Sequence, residues 1–209
     1  MNRVKVCGLT DAWNARQVAE AGADFAGFIF YPRSKRFVGE TPHADLFMNI
    51  PAHVKKVGVF VNEKKEKIIE IVRKYQLDLV QLHGNEPAGF CNDLRLESIS
   101  VMKAFGIGED FDFDRLTGYK DSCDFFLFDT RTILYGGSGI KFRWERLEEY
   151  KLKMPFFLGG GIGPLDVQKV RSINHPCFFA ADINSRFETA PGMKDIGMVK
   201  TFIQHFKNI

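Results

Sequence analysis

VKVCGLT, residues 4–10, decides between the two folds this chain could adopt. It is a short β-branched apolar run that breaks at Cys7-Gly8 and leads through Thr10 or Asp11, either able to cap a helix, into AWNARQVAEAG, which Gly22 ends. An open doubly wound sheet usually carries G-x-G-x-x-G or a Walker motif in its first turn, and CGLT is neither. Seven more runs of the same kind follow: 25–31, 55–61, 79–83, 99–105, 124–129, 155–160 and 177–182. Most are apolar throughout rather than alternating, as expected of parallel strands covered on both faces. Helix-like segments separate most of them. Asn62 is a plausible cap for 62–76, with Ile68, Ile69, Ile71 and Val72 on its apolar side. Pro87 and Pro164 suit first helical positions, and 196–206 is a last amphipathic helix. The segments around 43–50 and after Gly139 are poorly helical. Eight strands alternating with helices predict an α/β fold, a closed (β/α)8 TIM barrel forming a single domain over 1–209, near the lower size limit of about 200 residues for that architecture.

Composition narrows the function. The 209 residues are 45% hydrophobic and 26% charged, which excludes disorder and a disulfide scaffold. Lys+Arg 29 against Asp+Glu 26 leaves +3 without a basic stripe, so no nucleic-acid partner is expected. The 21 Phe residues cluster in core-like runs. Cys7, Cys91, Cys123 and Cys177 form no C-x-x-C pair and no metal-ligand spacing, and read as reduced thiols. The N-terminus has no signal-like core and no stretch is long enough to cross a bilayer, so the expectation is a cytoplasmic protein with no membrane partner, no metal and a small polar ligand.

In such a barrel the chemistry sits at the C-terminal strand ends. Gly159-Gly160-Gly161 follows the seventh strand, where backbone without Cβ approaches an anion closely, and Asn184-Ser185 follows the eighth; these two loops predict a phosphate grip. Cys7 and Asp129 close the first and sixth strands. Alone, each has a bland reading: a buried thiol as a small hydrophobe, an aspartate as a cap or loop salt bridge. At one mouth they would form an acid/base pair, the thiol with a lowered pKa and the carboxyl kept protonated by apolar surroundings. Arg36, beside Arg33 and Lys35, is either part of a solvated basic turn or a bidentate clamp for a carboxylate. Lys103 is a Schiff-base lysine or, more simply, a structural ion pair. His83 is a core, loop or substrate-contacting histidine.

The motifs in order, VKVCGLT (4–10), DFAGFIFYPRSKRFV (24–38), VGVFVNE (57–63), LVQLHGNE (79–86), FDT (128–130) with YGGSGIKF (135–142), FFLGGGIGPLDV (156–167) and ETAPGMKD (188–195), resemble those of the phosphoribosylanthranilate isomerase family of tryptophan biosynthesis, collinear from about residue 3 to 205. The resemblance implies a (β/α)8 barrel that carries out an Amadori rearrangement without metal or organic cofactor. It implies Asp129 as general acid, Cys7 as general base, Arg36 on the anthranilate carboxylate, Gly160, Gly161, Asn184 and Ser185 on the phosphate, and His83 and Asp182 lining the pocket. The chain departs from the family's pattern at Gly159, where serine is usual, at Gly163, where asparagine is usual, and at Asn184 and Arg186, where serine and glycine are usual. A histidine-pathway aminoaldose isomerase would carry aspartate in place of Cys7 and a two-fold internal repeat. A non-enzymatic phosphometabolite-binding barrel would need neither Cys7 nor Asp129. Family members are monomers or homodimers, and this chain is expected to be monofunctional.

Overall fold

The computed structural model describes residues 2–130 and 142–209. Eight parallel strands close into a barrel in sequence order: β1 (Arg3–Cys7), β2 (Phe25–Ile29), β3 (Lys55–Phe60), β4 (Leu79–Leu82), β5 (Val101–Ile107), β6 (Phe125–Thr130), β7 (Phe156–Leu158) and β8 (Phe178–Ile183), with β8 returning to pair with β1. Each of the eight apolar runs overlaps one strand. One barrel takes in nearly all the described elements.

The helical layer is uneven. Helices α1 (Ala12–Glu20), α3 (Lys65–Tyr75), α4 (Ala88–Leu96) and α6 (Ile196–Lys207) are well formed, whereas α2 (Asp45–Met48) and α5 (Val167–Arg171) are short. Single 3-10 segments, Phe113–Tyr119 and Trp144–Glu149, follow β5 and stand before β7. Asp11 caps α1 by accepting from Asn14 N, as the sequence suggested. Asn62 is not the cap of α3. That helix starts at Lys65, and Asn62 sits in the left-handed region at φ 51°, where its amide oxygen accepts from Asn85 N and its own N–H donates to Glu86. Asparagine tolerates this conformation and its short side chain bonds locally, so it ties two strand-end loops instead of opening a helix. Pro87 stands one residue before α4 rather than at its first position.

Two apolar layers follow from the strand period of two. Outward-facing residues such as Val4, Val6, Phe28, Val80, Phe126 and Phe156 pack against the helices. Inward-facing Phe25, Val57, Leu79, Met102, Ala104, Leu127, Phe157 and Ala180 fill the lower barrel as a separate cluster. The same period carries each inner face upward: Lys5 then Cys7 on β1, Gln81 then His83 on β4, Leu127 then Asp129 on β6, Ala180 then Asp182 on β8. The apolar plug gives way to a buried polar layer, and the candidate chemistry lies on top of it.

Candidate active site

Cys7, His83, Asp129 and Asp182 all stand at the C-terminal ends of barrel strands or in the residue just beyond, so the strands bring them to one mouth. Lys5, fully buried, donates to Asp182 Oδ1 at 2.8 Å. Burial opposes its charge, but Asp182 and the neighbouring Cys7 thiol outweigh it, and its pKa is raised above that of an ordinary lysine. A cation is thereby fixed beneath the thiol.

Cys7 is 4% exposed. The expectation of a lowered thiol pKa is not met. Burial raises it, and the attraction of Lys5 and Lys194 offsets that only in part, so the resting group is a thiol rather than a thiolate. Asp129 is held by two contacts: Oδ1 accepts from Thr130 N at 2.7 Å, and Oδ2 lies 3.4 Å from His83 Nε2. Gln81 Nε2 lies 2.8 Å from His83 Nδ1. With the Gln81 amide donating, the imidazole keeps its proton on Nε2, facing Asp129.

Gly160 adopts φ 82°, and a Cβ there would lie 2.4 Å from Thr130 Oγ1 and 3.1 Å from Asp129 Oδ1. The glycine lets the loop after β7 run directly against the carboxylate's own strand end, so it shapes the surroundings of Asp129 as well as the expected phosphate grip. Gly161 is also left-handed, at φ 76°. Asn184 and Ser185 begin the turn after β8, and Asn184 Oδ1 accepts from Lys194 Nζ at 2.7 Å. Arg186 is exposed, its stem beside Gly163 in the loop after β7. The YGGSGIK part of the YGGSGIKF motif, residues 135–141, lies outside the described residues.

Arg36 is brought to the mouth but already holds a carboxylate. Its Nε donates to Glu188 Oε1 and Oε2 at 2.8 and 3.0 Å, and Nη2 to Oε2 at 2.6 Å. Glu188 and Lys194 escaped the residue-by-residue reading, although both lie in the ETAPGMKD motif and the charged residues of a strand-end hairpin were the signal to follow. Burial would raise the Glu188 pKa, but Arg36 and Lys194 lower it below 4.5. A depressed folded-state pKa contributes stability that is complete above about 4.5 and is lost as pH falls through the lower folded value. Melting temperature should therefore fall more steeply below that pH in the wild type than in Glu188→Gln; parallel curves from thermal melts across the acid range would show that Glu188 contributes nothing to this dependence.

Lys103 is not a Schiff-base lysine. It points outward from β5, with Nζ donating to Leu82 O, Gly84 O, Ala104 O and Glu86 Oε2 at 3.2, 2.8, 3.1 and 3.1 Å, and both members of the Lys103–Glu86 pair are 3% exposed. Glu86 also accepts from Asn62 N and Gly84 N, which fixes the loop that carries His83. Removing one partner of such a pair leaves a buried charge uncompensated. Lys103→Met should cost about 3–5 kcal/mol in urea unfolding, and borohydride should trap no substrate on this lysine in the wild type.

Among the described residues no group of three or more His, Cys, Asp or Glu side chains is placed to hold a metal ion, and no helix is long and apolar enough to cross a membrane.

Known proteins share both the sequence and the architecture. The family model described as N-(5'phosphoribosyl)anthranilate (PRA) isomerase matches residues 4–205. A protein of Parabacteroides distasonis named N-(5'-phosphoribosyl)anthranilate isomerase is 45% identical over 202 residues, 96% of this chain and 91% of its own length. The crystal structure of phosphoribosyl anthranilate isomerase from Thermotoga maritima superposes with a TM-score of 0.87 at 38% identity, covering 100% of both chains. A second solved isomerase, in complex with reduced 1-(o-carboxyphenylamino)-1-deoxyribulose 5-phosphate, gives 0.85 at 35% identity, again over 100% of both. With its closed eight-stranded barrel and a match that runs through every strand, this chain belongs to the N-(5'-phosphoribosyl)anthranilate isomerase family.

Proposed function

We infer that this chain converts N-(5'-phosphoribosyl)anthranilate to 1-(2-carboxyphenylamino)-1-deoxyribulose 5-phosphate, an Amadori rearrangement in tryptophan biosynthesis, by general acid/base catalysis. The observation that carries the reading is the full-length family match with Cys7 and Asp129 in place at the ends of β1 and β6. Cysteine rather than aspartate at position 7 and the names of the relatives disfavour the other phosphosugar isomerase. The acid/base pair disfavours a barrel that only binds.

Asp129, as acid, protonates the furanose ring oxygen. The C1–O bond breaks and the anthranilate nitrogen's lone pair closes a Schiff base. Cys7, as thiolate, removes the proton from C2, and the electron pair moves toward the iminium nitrogen to give an enolamine. Tautomerisation places the carbonyl at C2, and the atoms of the substrate are all retained in the product. Each positioned acid or base supplies about 10²–10⁴-fold. Gly160, Gly161, Asn184 and Ser185 are the proposed phosphate grip; being remote from C1 and C2, the phosphate can orient the sugar without entering the chemistry. Arg36 takes the anthranilate carboxylate, and His83 and Asp182 line the pocket. The reaction needs no cofactor, and a cytoplasmic location suits a phosphorylated intermediate.

The test is direct. Anthranilate fluorescence changes as the substrate is consumed, so purified folded protein given enzymatically generated substrate should show turnover, with the product confirmed by mass-neutral conversion and loss of the aldose signature. A folded sample without turnover sinks the assignment.

A further inference from the structure

Arg36 and Glu188 are 152 residues apart in sequence, yet their side chains are joined by three hydrogen bonds at the mouth of the barrel. Glu188 is not simply a mobile counter-ion that has found an arginine. It is the first residue of β9 (Glu188–Ala190), which pairs antiparallel with β10 (Met193–Lys194), and the register sets Lys194 against Glu188. Lys194 Nζ donates to Glu188 Oε1 at 2.6 Å, and Gly192 N donates to the same oxygen at 3.2 Å. The hairpin is anchored in turn, because the Asn14 side chain on α1 bonds Lys194 N and O at 2.8 and 2.9 Å. The carboxylate is thus held by its own hairpin independently of Arg36.

A guanidinium has five N–H donors in a rigid plane. Glu188 takes the edge made by Nε and Nη2. The opposite edge, formed by Nη1 and the second Nη2 hydrogen, is left pointing away from Glu188. Two cations and one anion leave the cluster with a net positive charge, so it remains attractive to a second carboxylate. We propose that Glu188 is a positioning residue for substrate recognition: it fixes the plane of Arg36 so that the opposite edge meets the aryl carboxylate of the substrate. Lys194 neutralises Glu188 and, through Asn184 Oδ1 at 2.7 Å, joins this clamp to the loop after β8. The inference rests on the reading of Arg36 as the carboxylate clamp.

A competing role makes the opposite prediction. If Glu188 merely occupied Arg36, removing its charge would free the arginine and tighten binding. The probes are reduced 1-(o-carboxyphenylamino)-1-deoxyribulose 5-phosphate and the same compound without the carboxylate, titrated by calorimetry into wild type, Arg36→Ala, Glu188→Gln and the double variant. Arg36→Ala and Glu188→Gln should each weaken the carboxylated ligand by about 10-fold and change the decarboxylated one by less than about twofold. The double variant should be no worse than Arg36→Ala, because Glu188 acts through Arg36. Glu188→Asp, which keeps the charge but withdraws it by a methylene, should lose part of the same selectivity; this gives a second measure should the glutamine variant fold poorly. Tighter or unchanged binding of the carboxylated ligand by Glu188→Gln, with Arg36→Ala still selective, overturns the inference alone. Equal loss of both ligands also overturns it, since Glu188 would then only hold the loop. An Arg36→Ala variant that treats the two ligands as the wild type does overturns the clamp itself.

Discussion

Asp129→Asn should lower kcat/KM on the closed-ring substrate by about 10²–10⁴-fold while the fold and the affinity for product analogues survive. The geometry explains why the loss should be chemical rather than structural. Oδ1 of Asp129 accepts from Thr130 N, and an asparagine oxygen can accept the same bond. The other oxygen, 3.4 Å from His83 Nε2, would become an amide nitrogen of nearly the same size, which gives up the contact with the Nε2 proton but costs one polar contact at the mouth rather than a part of the core. What the substitution removes is the ability to give a proton to the ring oxygen, since an amide is a very weak acid. Ring opening should therefore proceed without acid assistance, as an unfavourable equilibrium that precedes the C2 proton transfer. The check is a comparison of rates on the closed-ring substrate with melting temperature and product-analogue affinity on the same preparation. An unchanged rate would exclude Asp129 as the acid.

How far the sequence could be read depended on the range of the interaction. The strands were legible because each is buried on both faces, which forces a continuous apolar run that stands out locally. The helices between β5 and β7 were not, since short 3-10 segments such as Phe113–Tyr119 and Trp144–Glu149 lack the length for a helical period to show. Asn62 misled because its local signal, a capping residue before a charged amphipathic run, competed with a tertiary bond to Asn85 that no local pattern announces. Among the site residues, Cys7 and Asp129 could be singled out from strand-end position alone. Lys5 and Gln81 were available by the same logic, each two residues before a singled-out position and so on the same inner face. Glu188 was beyond that logic: its partner lies 152 residues away, and only the closed barrel brings the loop after β2 to the hairpin after β8. The direction of the Cys7 pKa was out of reach for a related reason, since it is a balance of burial against Lys5 and Lys194, set by packing.

That balance shapes the second large effect. Cys7→Ala should lose at least about 10²-fold in kcat with a modest change in product-analogue binding, and Cys7→Ser should be nearly as poor, because a hydroxyl gives up its proton far less readily than a thiol. A thiol whose pKa is raised above 9.0 is mostly protonated at neutral pH, but its thiolate, once formed, is a stronger base toward the C2 proton. Lys5 is the built-in compensation: buried, charged and held by Asp182, it favours the thiolate over what burial alone would allow. The pH dependence has a definite sign. Below the Cys7 pKa each unit of rising pH increases the thiolate fraction tenfold. In the Asp129→Asn background, where no acid has to keep its proton, the residual kcat/KM should therefore rise with a slope approaching one on a log scale between pH 7 and 9. Adding Cys7→Ala to that background should abolish the slope, as the group that titrates is gone. A Cys7→Ala enzyme with near-normal turnover, or a slope that survives without the thiol, would place the base on another residue.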